Sequence, residues 1–324
     1  MAFAEGHRAT RPARSIFRAV IASGSVAGTV VVLAGPTASG KSEAALLLAE
    51  QIGGEIVSVD SMQVYRGMDI GTAKPSGADR ARIPHHLIDL VDVTESFDAA
   101  QFARAAHAAV ADIEARGKRA ILCGGTGLYF NAFFGGVGAA PGPDSELRRA
   151  LEGTPLEELL RELAERDPAT HAKIDRKNPR RVIRAVQVIR QTGRPFSEQK
   201  SNWTSRNLTP PVFVLRRATE DLHNRINERV DTMFAKGLVD ETRRLLEQGL
   251  ADNRTAMQAL GYRQVVAHLR GECSLGETIE LIKLRTRQFA KRQMTWFRGQ
   301  LKPEWIDVTA NETAADIARR VLRL

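Results

Sequence analysis

The chain has 324 residues, 43% of them apolar and 26% charged, the balance of an ordinary soluble globular protein with ample core for one large or two modest domains. Its net charge of +9 favours a polyanionic partner. Two cysteines, Cys123 and Cys273, exclude both a disulfide framework and a zinc quartet.

The first 28 residues are arginine-rich, with Glu5 the only acid, and read as a disordered extension. Residues 19–34 look superficially like a signal-peptide core. Ser23, Gly24, Ser25 and Gly28 interrupt it, however, and its apolar end is needed as a strand. No apolar run reaches the length of a transmembrane helix, so no membrane partner and a cytoplasmic setting are expected.

TVVVLAG (29–35) is short, apolar and β-branched, which predicts a buried strand. A helical pattern runs from Lys41 to Ile52 and stops at Gly53-Gly54. Between the two, Gly35-Pro36-Thr37-Ala38-Ser39-Gly40-Lys41-Ser42 fits the phosphate-loop pattern G-x-x-x-x-G-K-[ST]. Glycines let backbone N–H groups converge on phosphate oxygens, and the helix N-terminus adds its positive end. Lys41 supplies a mobile cation, and the Ser42 hydroxyl can join a Mg²⁺ shell beside waters and phosphate.

EIVSVD (55–60) predicts a second strand, ending in Asp60. Glycines and prolines punctuate residues 61–97, a long excursion over the sheet edge of the kind that is more often functional than idle. Within it, His85-His86 lacks the i,i+4 spacing of a helical metal site and reads as structural or hydrogen-bonding. Asp98 is placed to cap a helix whose buried face is Phe102, Ala106, Val110 and Ile113, closed by Gly117. RAILCGG (119–125) is a third strand, and this strand–helix alternation indicates a parallel α/β sheet.

GGVGAAPGPD (135–144) reads as a linker, and residues 144 to about 202 as charged helices without strands. PPVFVLRR (210–217) returns to strand character. Thr219 can cap a helix with Leu222, Ile226, Val230 and Met233 or Phe234 as its buried stripe. A long helix follows from about Glu277 to Arg298, then a short strand near Trp305 to Val308 and a terminal helix. The fold class is therefore α/β: a P-loop NTPase-like parallel sheet flanked by helices, with an inserted all-helical subdomain. Residues 29–140 and 203–324 form the core in this reading, and 141–202 the insertion.

In the long helix Lys283, Arg287 and Lys291 recur at i,i+4, with Arg285 and Arg292 widening the basic surface. Ile282, Phe289 and Trp296 recur every seven residues as an apolar stripe. One face can pack on the sheet while the other tracks nucleic-acid phosphates.

The phosphate loop alone leaves the chemistry open. A kinase needs an acceptor and usually an arginine-bearing lid. Asp60 could be the metal-associated acid of an ATPase, or a general base above the carboxyl ends of the sheet, where α/β folds bind ligands.

Four further stretches narrow the choice: SVDSMQVYRGMDIGTAKP (58–75), IPHHLID (83–89), GGTGLYF (124–130) and RTRQFAKRQMTWFRG (285–299). Together with the phosphate loop they resemble the tRNA dimethylallyltransferase family from about Val30 to Lys302. The resemblance implies transfer of a dimethylallyl group from dimethylallyl pyrophosphate to N6 of the adenine just 3′ of the tRNA anticodon. Asp60 would then be the general base, Thr126 would contact the leaving oxygen, and Arg225 would reach the pyrophosphate held by residues 35–42 with Mg²⁺ at Ser42. For tRNA contact it implies Asp60, Ser61, Met62, Gln63 and Thr126 near the reacting base. It further implies Arg148, Arg180, Arg181 and Arg184 in the insertion, the QALGYR turn with Gln258, Gly261, Tyr262 and Arg263, and Arg287, Gln288, Lys291 and Arg292 on the long helix.

The competing readings are a P-loop small-molecule kinase, a non-catalytic RNA-binding P-loop protein, and an isopentenyltransferase acting on free adenine nucleotides. The kinase leaves the GTAKP stretch and the basic helix unexplained. The RNA-binding protein leaves the Asp60–Thr126 pair without a purpose. A free nucleotide needs no extended phosphate-tracking surface. A monomer is expected, and an ATP-binding assignment drawn from the loop alone would name the wrong ligand.

Overall fold

The computed structural model describes residues 30–142, 144–199 and 210–323; the expected extension over residues 1–28 lies outside the described residues. Two compact units divide the chain, one of Met1–Phe133 with Asn207–Leu324 and one of Phe134–Arg206.

The first unit is built on a six-stranded sheet, β1 (Val31–Ala34), β2 (Gly54–Val59), β3 (His85–His86), β4 (Arg119–Gly124), β5 (Val212–Arg217) and β6 (Glu304–Val308), in the order β3-β2-β4-β1-β5-β6. Every pairing is parallel. β1, β2 and β4 are buried along their whole length, which is why they read as largely apolar runs, while the two-residue edge strand β3 is half-buried. Val31, Leu33, Ile56, Ile121, Phe213, Leu215 and Ile306 form one side of the core. Against them pack Ala44, Ala45, Leu48 and Ala49 of α1 (Lys41–Ile52) and Ile317, Ala318 and Val321 of the last helix. Each fully buried leucine or isoleucine there contributes on the order of 2 kcal/mol.

The register aligns the strand ends. Gly124 of β4 pairs with Ala34 of β1 on one side and with Val59 of β2 on the other. The next residues, Gly35, Asp60 and Gly125-Thr126, therefore leave the sheet side by side at its carboxyl edge. A Cβ at Gly124 would stand 2.1 Å from the Val59 carbonyl oxygen, so only glycine permits this approach.

The excursion after β2 holds a short helix, α2 (Gly77–Arg82), before β3. Asp98 does cap α3 (Ala99–Ala115), accepting from the amides of Ala100 and Gln101. α4 (Gly127–Gly135) closes the first half of the chain.

The second unit contains α5 (Ser145–Glu152), α6 (Leu156–Arg166), α7 (Pro168–Lys173), α8 (Pro179–Thr192) and α9 (Phe196–Gln199), packed around Leu151, Leu159, Leu163, Val182, Val186 and Ile189. The unit starts at Phe134 rather than residue 141 because the glycine-rich stretch is tied to it. The Ala139 amide donates to Gln199 O at 3.1 Å, and Arg184 Nη2 to Pro141 O at 2.5 Å.

After β5 come α10 (Thr219–Ala235), α11 (Leu238–Glu247), α12 (Tyr262–Leu269), α13 (Leu275–Gln300) and, after β6, α14 (Ala314–Arg323). Ala218, not the expected Thr219, occupies the N-cap of α10. Ser274 caps α13 through a capping box with Glu277. The buried face of α13 is Thr278, Ile282, Ala290, Gln293, Met294 and Phe297, while Phe289 and Trp296 are only half-buried. A seven-residue stripe drifts around a helix of 3.6 residues per turn, and small Ala290 with hydrogen-bonded Gln293 serves the contact better.

Candidate active site

β1 delivers the phosphate loop, and the loop turns into α1 through two left-handed residues, Ala38 (φ 63°) and Gly40 (φ 92°). Left-handed alanine is unfavourable and persists only where its surroundings hold it. Arg225 of α10 donates from Nε to Ala38 O at 2.9 Å, and Ala38 packs on Leu222 and Ile226 of α10 and Ala290 of α13. Arg217, at the end of β5 and with only 2% of its side chain exposed, donates to Ser39 O at 2.8 Å and pairs with Asp221.

The first amide of α1 with an intrahelical acceptor is Ala44, bonded to Gly40 O. The amides of Lys41, Ser42 and Glu43 thus begin the helix as its open N-terminal donors. Thr37 is different: its amide is taken by Gln293 Oε1 at 2.9 Å, so it does not serve the loop interior. Lys41 folds back, its Nζ 3.0 Å from Pro36 O.

A cavity of about 370 Å³ opens over this loop, lined by Ala38 to Glu43 and, from α10, by Arg225, Glu228, Arg229 and Thr232. Burial lowers the affinity of Lys41 for its proton, and the Arg229 charge adds to that, while Cys123 and Asp60 oppose it. Burial likewise lowers Arg229, with Arg225 reinforcing and Asp60 opposing. Lys41, Arg225, Arg229 and Asp60 are thus one charge cluster, three cations and one carboxylate, which suits a multiply charged anion. Arg229 was missed in the sequence; the signal was its place one helical turn after Arg225.

Asp60 leaves β2 in a turn in which its Oδ1 accepts from the amides of Met62 (2.8 Å) and Gln63 (3.3 Å). On the adjacent strand the amides of Gly125 and Thr126 both donate to Val59 O at 3.2 Å, and Thr126 Oγ1 accepts from the Ser61 amide at 3.2 Å. Asp60 and Thr126, 66 positions apart in the chain, thereby stand on neighbouring loops beside the cation cluster.

The other expected contacts fall into two groups. Ser61 and Met62 are half-buried beside Asp60; Arg181, Arg263, Lys291 and Arg292 are exposed, as are Arg180, Gln258 and Gln288. Exposure does not mean lack of a partner, since Gln258 donates to Arg254 O and Gln288 accepts from Arg285; further expected contacts are also bonded within the protein. Gln63 accepts from Ser58 Oγ and donates to Thr72 O and Ala73 O, bracing the GTAKP loop. Tyr262 is fully buried, donating to Glu241 Oε1 at 2.5 Å and accepting from the Gly71 amide at 3.1 Å. Its phenol therefore has no surface for RNA; Gly261 (φ 96°) starts α12 beside it, and Arg263 is the side chain that emerges. Arg287 donates to Asn227 Oδ1 on α10 at 2.7 Å, and Arg148 pairs with Glu152 within α5.

His86 bonds Glu55 and His85 bonds Ile83 O. Among the described residues no group of three or more His, Cys, Asp or Glu could hold a metal ion. Ser42 is exposed at the start of α1. A single protein hydroxyl fits a hard cation that keeps its waters and takes further oxygens from the substrate, as Mg²⁺ does. No helix among the described residues is long and apolar enough to cross a membrane.

Comparison with known proteins bears on this arrangement. Residues 63–300 match the family model described as IPP transferase. The chain is 50% identical over 280 residues to tRNA dimethylallyltransferase 1 of Citrifermentans bemidjiense, covering 86% of this chain and 92% of that protein. It is 51% identical over 287 residues to the tRNA dimethylallyltransferase of Geobacter metallireducens, with the same coverage of 86% and 92%. Among solved structures, the tRNA isopentenylpyrophosphate transferase of Bacillus halodurans superposes with a TM-score of 0.66 at 37% identity, over 90% of this chain and 95% of that one. A eukaryotic dimethylallyltransferase acting on tRNA gives 0.71 at 28% identity, over 90% and 75%.

Proposed function

This chain belongs to the tRNA dimethylallyltransferase family and is a prenyltransferase acting on tRNA; from that premise we propose that it moves the dimethylallyl group of dimethylallyl pyrophosphate to N6 of the adenine 3′-adjacent to the anticodon. One observation supports the reading above others: the register that sets Asp60, Thr126 and the phosphate loop side by side.

The adenine amine is a poor nucleophile because its lone pair is delocalised into the ring. Asp60, whose Oδ1 is fixed by two amides, accepts the amine proton as the nitrogen bonds to the allylic carbon. The carbon–oxygen bond breaks, and both its electrons leave with pyrophosphate. Thr126 donates its hydroxyl hydrogen to the leaving oxygen. Lys41, Arg225, Arg229 and the α1 amides meet the charge that develops there, held in place before reaction. Ser42 would hold Mg²⁺, which supplies further neutralisation of pyrophosphate.

The target base leaves its stack to reach Asp60, since N6 does not react while stacked. Exposed Arg181, Arg263, Lys291 and Arg292 supply the contacts to the anticodon stem-loop phosphates. The enzyme acts in the cytoplasm as a monomer. Asp60→Asn keeps the Oδ1 acceptor and removes the base. It should lower turnover roughly 10²- to 10⁴-fold with tRNA affinity intact; loss of tRNA binding in parallel would assign Asp60 a structural role instead.

A further inference from the structure

Gln293 is a polar side chain on the buried face of α13, 7% exposed. Its Oε1 accepts the Thr37 amide hydrogen at 2.9 Å, and its Nε2 donates to Gly125 O at 2.9 Å. Thr37 belongs to the phosphate loop, and Gly125 to the loop that carries Thr126. One side chain thus ties together the loop that receives pyrophosphate and the loop that meets its leaving oxygen.

The chemistry of the position is specific. A carboxamide offers one acceptor and one donor on the same planar group; an ionised glutamate only accepts, a lysine only donates, and methionine supplies no donor. Burying a carboxamide is unfavourable unless both ends are bonded, so an apolar residue would serve packing better. The neighbourhood is shaped to admit it: a Cβ at Gly125 would stand 2.3 Å from Nε2. One turn further along α13, the Trp296 ring lies so close to Gly127 that a Cβ there would be 2.3 Å away.

We infer that Gln293 is a positioning residue for prenyl transfer, setting the distance between the pyrophosphate cradle and the Thr126 hydroxyl. The inference rests on the transfer reaction proposed above. Gln293 touches no reacting atom. It acts by holding Thr37 and Gly125, and through them Thr126, where a misplacement of about 1 Å costs a factor near 10² in rate.

The test uses the full chain with Gln293→Met, which fills the volume without either bond, and Gln293→Glu, which keeps the acceptor. Turnover, KM for dimethylallyl pyrophosphate, tRNA affinity and thermal unfolding are measured for each. Gln293→Met should lose about 10²-fold in kcat while tRNA affinity holds. In Gln293→Glu the buried carboxyl regains a donor when protonated, so the ratio of its kcat to that of the wild type should rise as pH falls. Wild-type kcat in Gln293→Met overturns the inference. So does a flat ratio in Gln293→Glu, which remains decisive if Gln293→Met does not fold. A wild-type chain that transfers no prenyl group to tRNA would instead sink the reaction on which the inference rests.

Discussion

Thr126 accepts a hydrogen bond at Oγ1 from the amide of Ser61, the residue directly after Asp60, at 3.2 Å. A threonine hydroxyl that accepts in this way still has its own hydrogen to donate, and the bond fixes where the oxygen sits. Thr126→Val keeps the shape and removes that donor. Turnover should fall about 10²-fold, the effect of losing one preorganised donor at developing charge. Single-turnover transfer with saturating tRNA checks this; an unchanged rate removes Thr126 from the chemistry.

Arg229 lines the cavity over the phosphate loop and shares its field with Lys41. Arg229→Met should weaken pyrophosphate binding roughly tenfold or more, the value of a charge-assisted hydrogen bond. It should also change the pH profile. Burial first, and then Arg229, hold the Lys41 pKa below its ordinary value, so removing Arg229 raises it. Lys41 then stays charged to higher pH, and the alkaline limb of kcat/KM moves upward. Calorimetric titration with pyrophosphate and a pH–rate profile measure the two effects; an alkaline limb that stays put would place Lys41 outside the field of Arg229.

The Glu241 carboxylate receives the amides of Ile70 and Gly71 and the hydroxyl of Tyr262. This strap holds the MDIG stretch against α11 and α12. The Tyr262 hydroxyl donates to Glu241 and accepts from the Gly71 amide, so Tyr262→Phe removes two hydrogen bonds, one of them to a carboxylate, and should cost roughly 2–4 kcal/mol of stability with tRNA affinity unchanged. Denaturant unfolding alongside tRNA titration separates the two; a selective loss of tRNA affinity would return Tyr262 to the RNA surface.

These cases show where the sequence was legible. The phosphate loop, the limits of α1, Asp98 as a cap and Asp60 at the end of β2 all announce themselves through neighbours a few residues away. Gln293 with Thr37, Glu241 with Ile70 and Arg217 with Ser39 do not. Their partners lie 256, 171 and 178 residues distant, and no local spacing encodes a pairing that only the folded sheet creates. The family pattern supplied Arg225 but not Arg229. Tyr262 was expected at the surface because the motif places it, while burial comes from the packing of α11, α12 and the MDIG loop.

Glu55, 2% exposed at the start of β2, is bonded by Lys118, His86 and Arg116. Burial opposes its ionisation, but these three hydrogen bonds outweigh it and hold the carboxyl down to about 2, against 4.5 ordinarily. A depressed carboxyl pKa contributes stability that is present above the unfolded value and lost as pH falls through the folded one. Glu55→Gln should therefore be less stable than the wild type at pH 7, by on the order of 2 kcal/mol. The gap should narrow between about pH 4.5 and 2. Urea unfolding across that range checks it, and a gap independent of pH would deny the ionised cluster its role.

The central claim is that the cation cluster, Asp60 and Thr126 serve prenyl transfer to tRNA. The most direct measurement incubates the protein and Mg²⁺ with labelled dimethylallyl pyrophosphate and either unmodified tRNA with adenine after its anticodon or free AMP. Label on the N6 of that adenine, with pyrophosphate released and AMP untouched, is the result predicted. Label on AMP but not on tRNA, or on neither while ATP is hydrolysed, would contradict it.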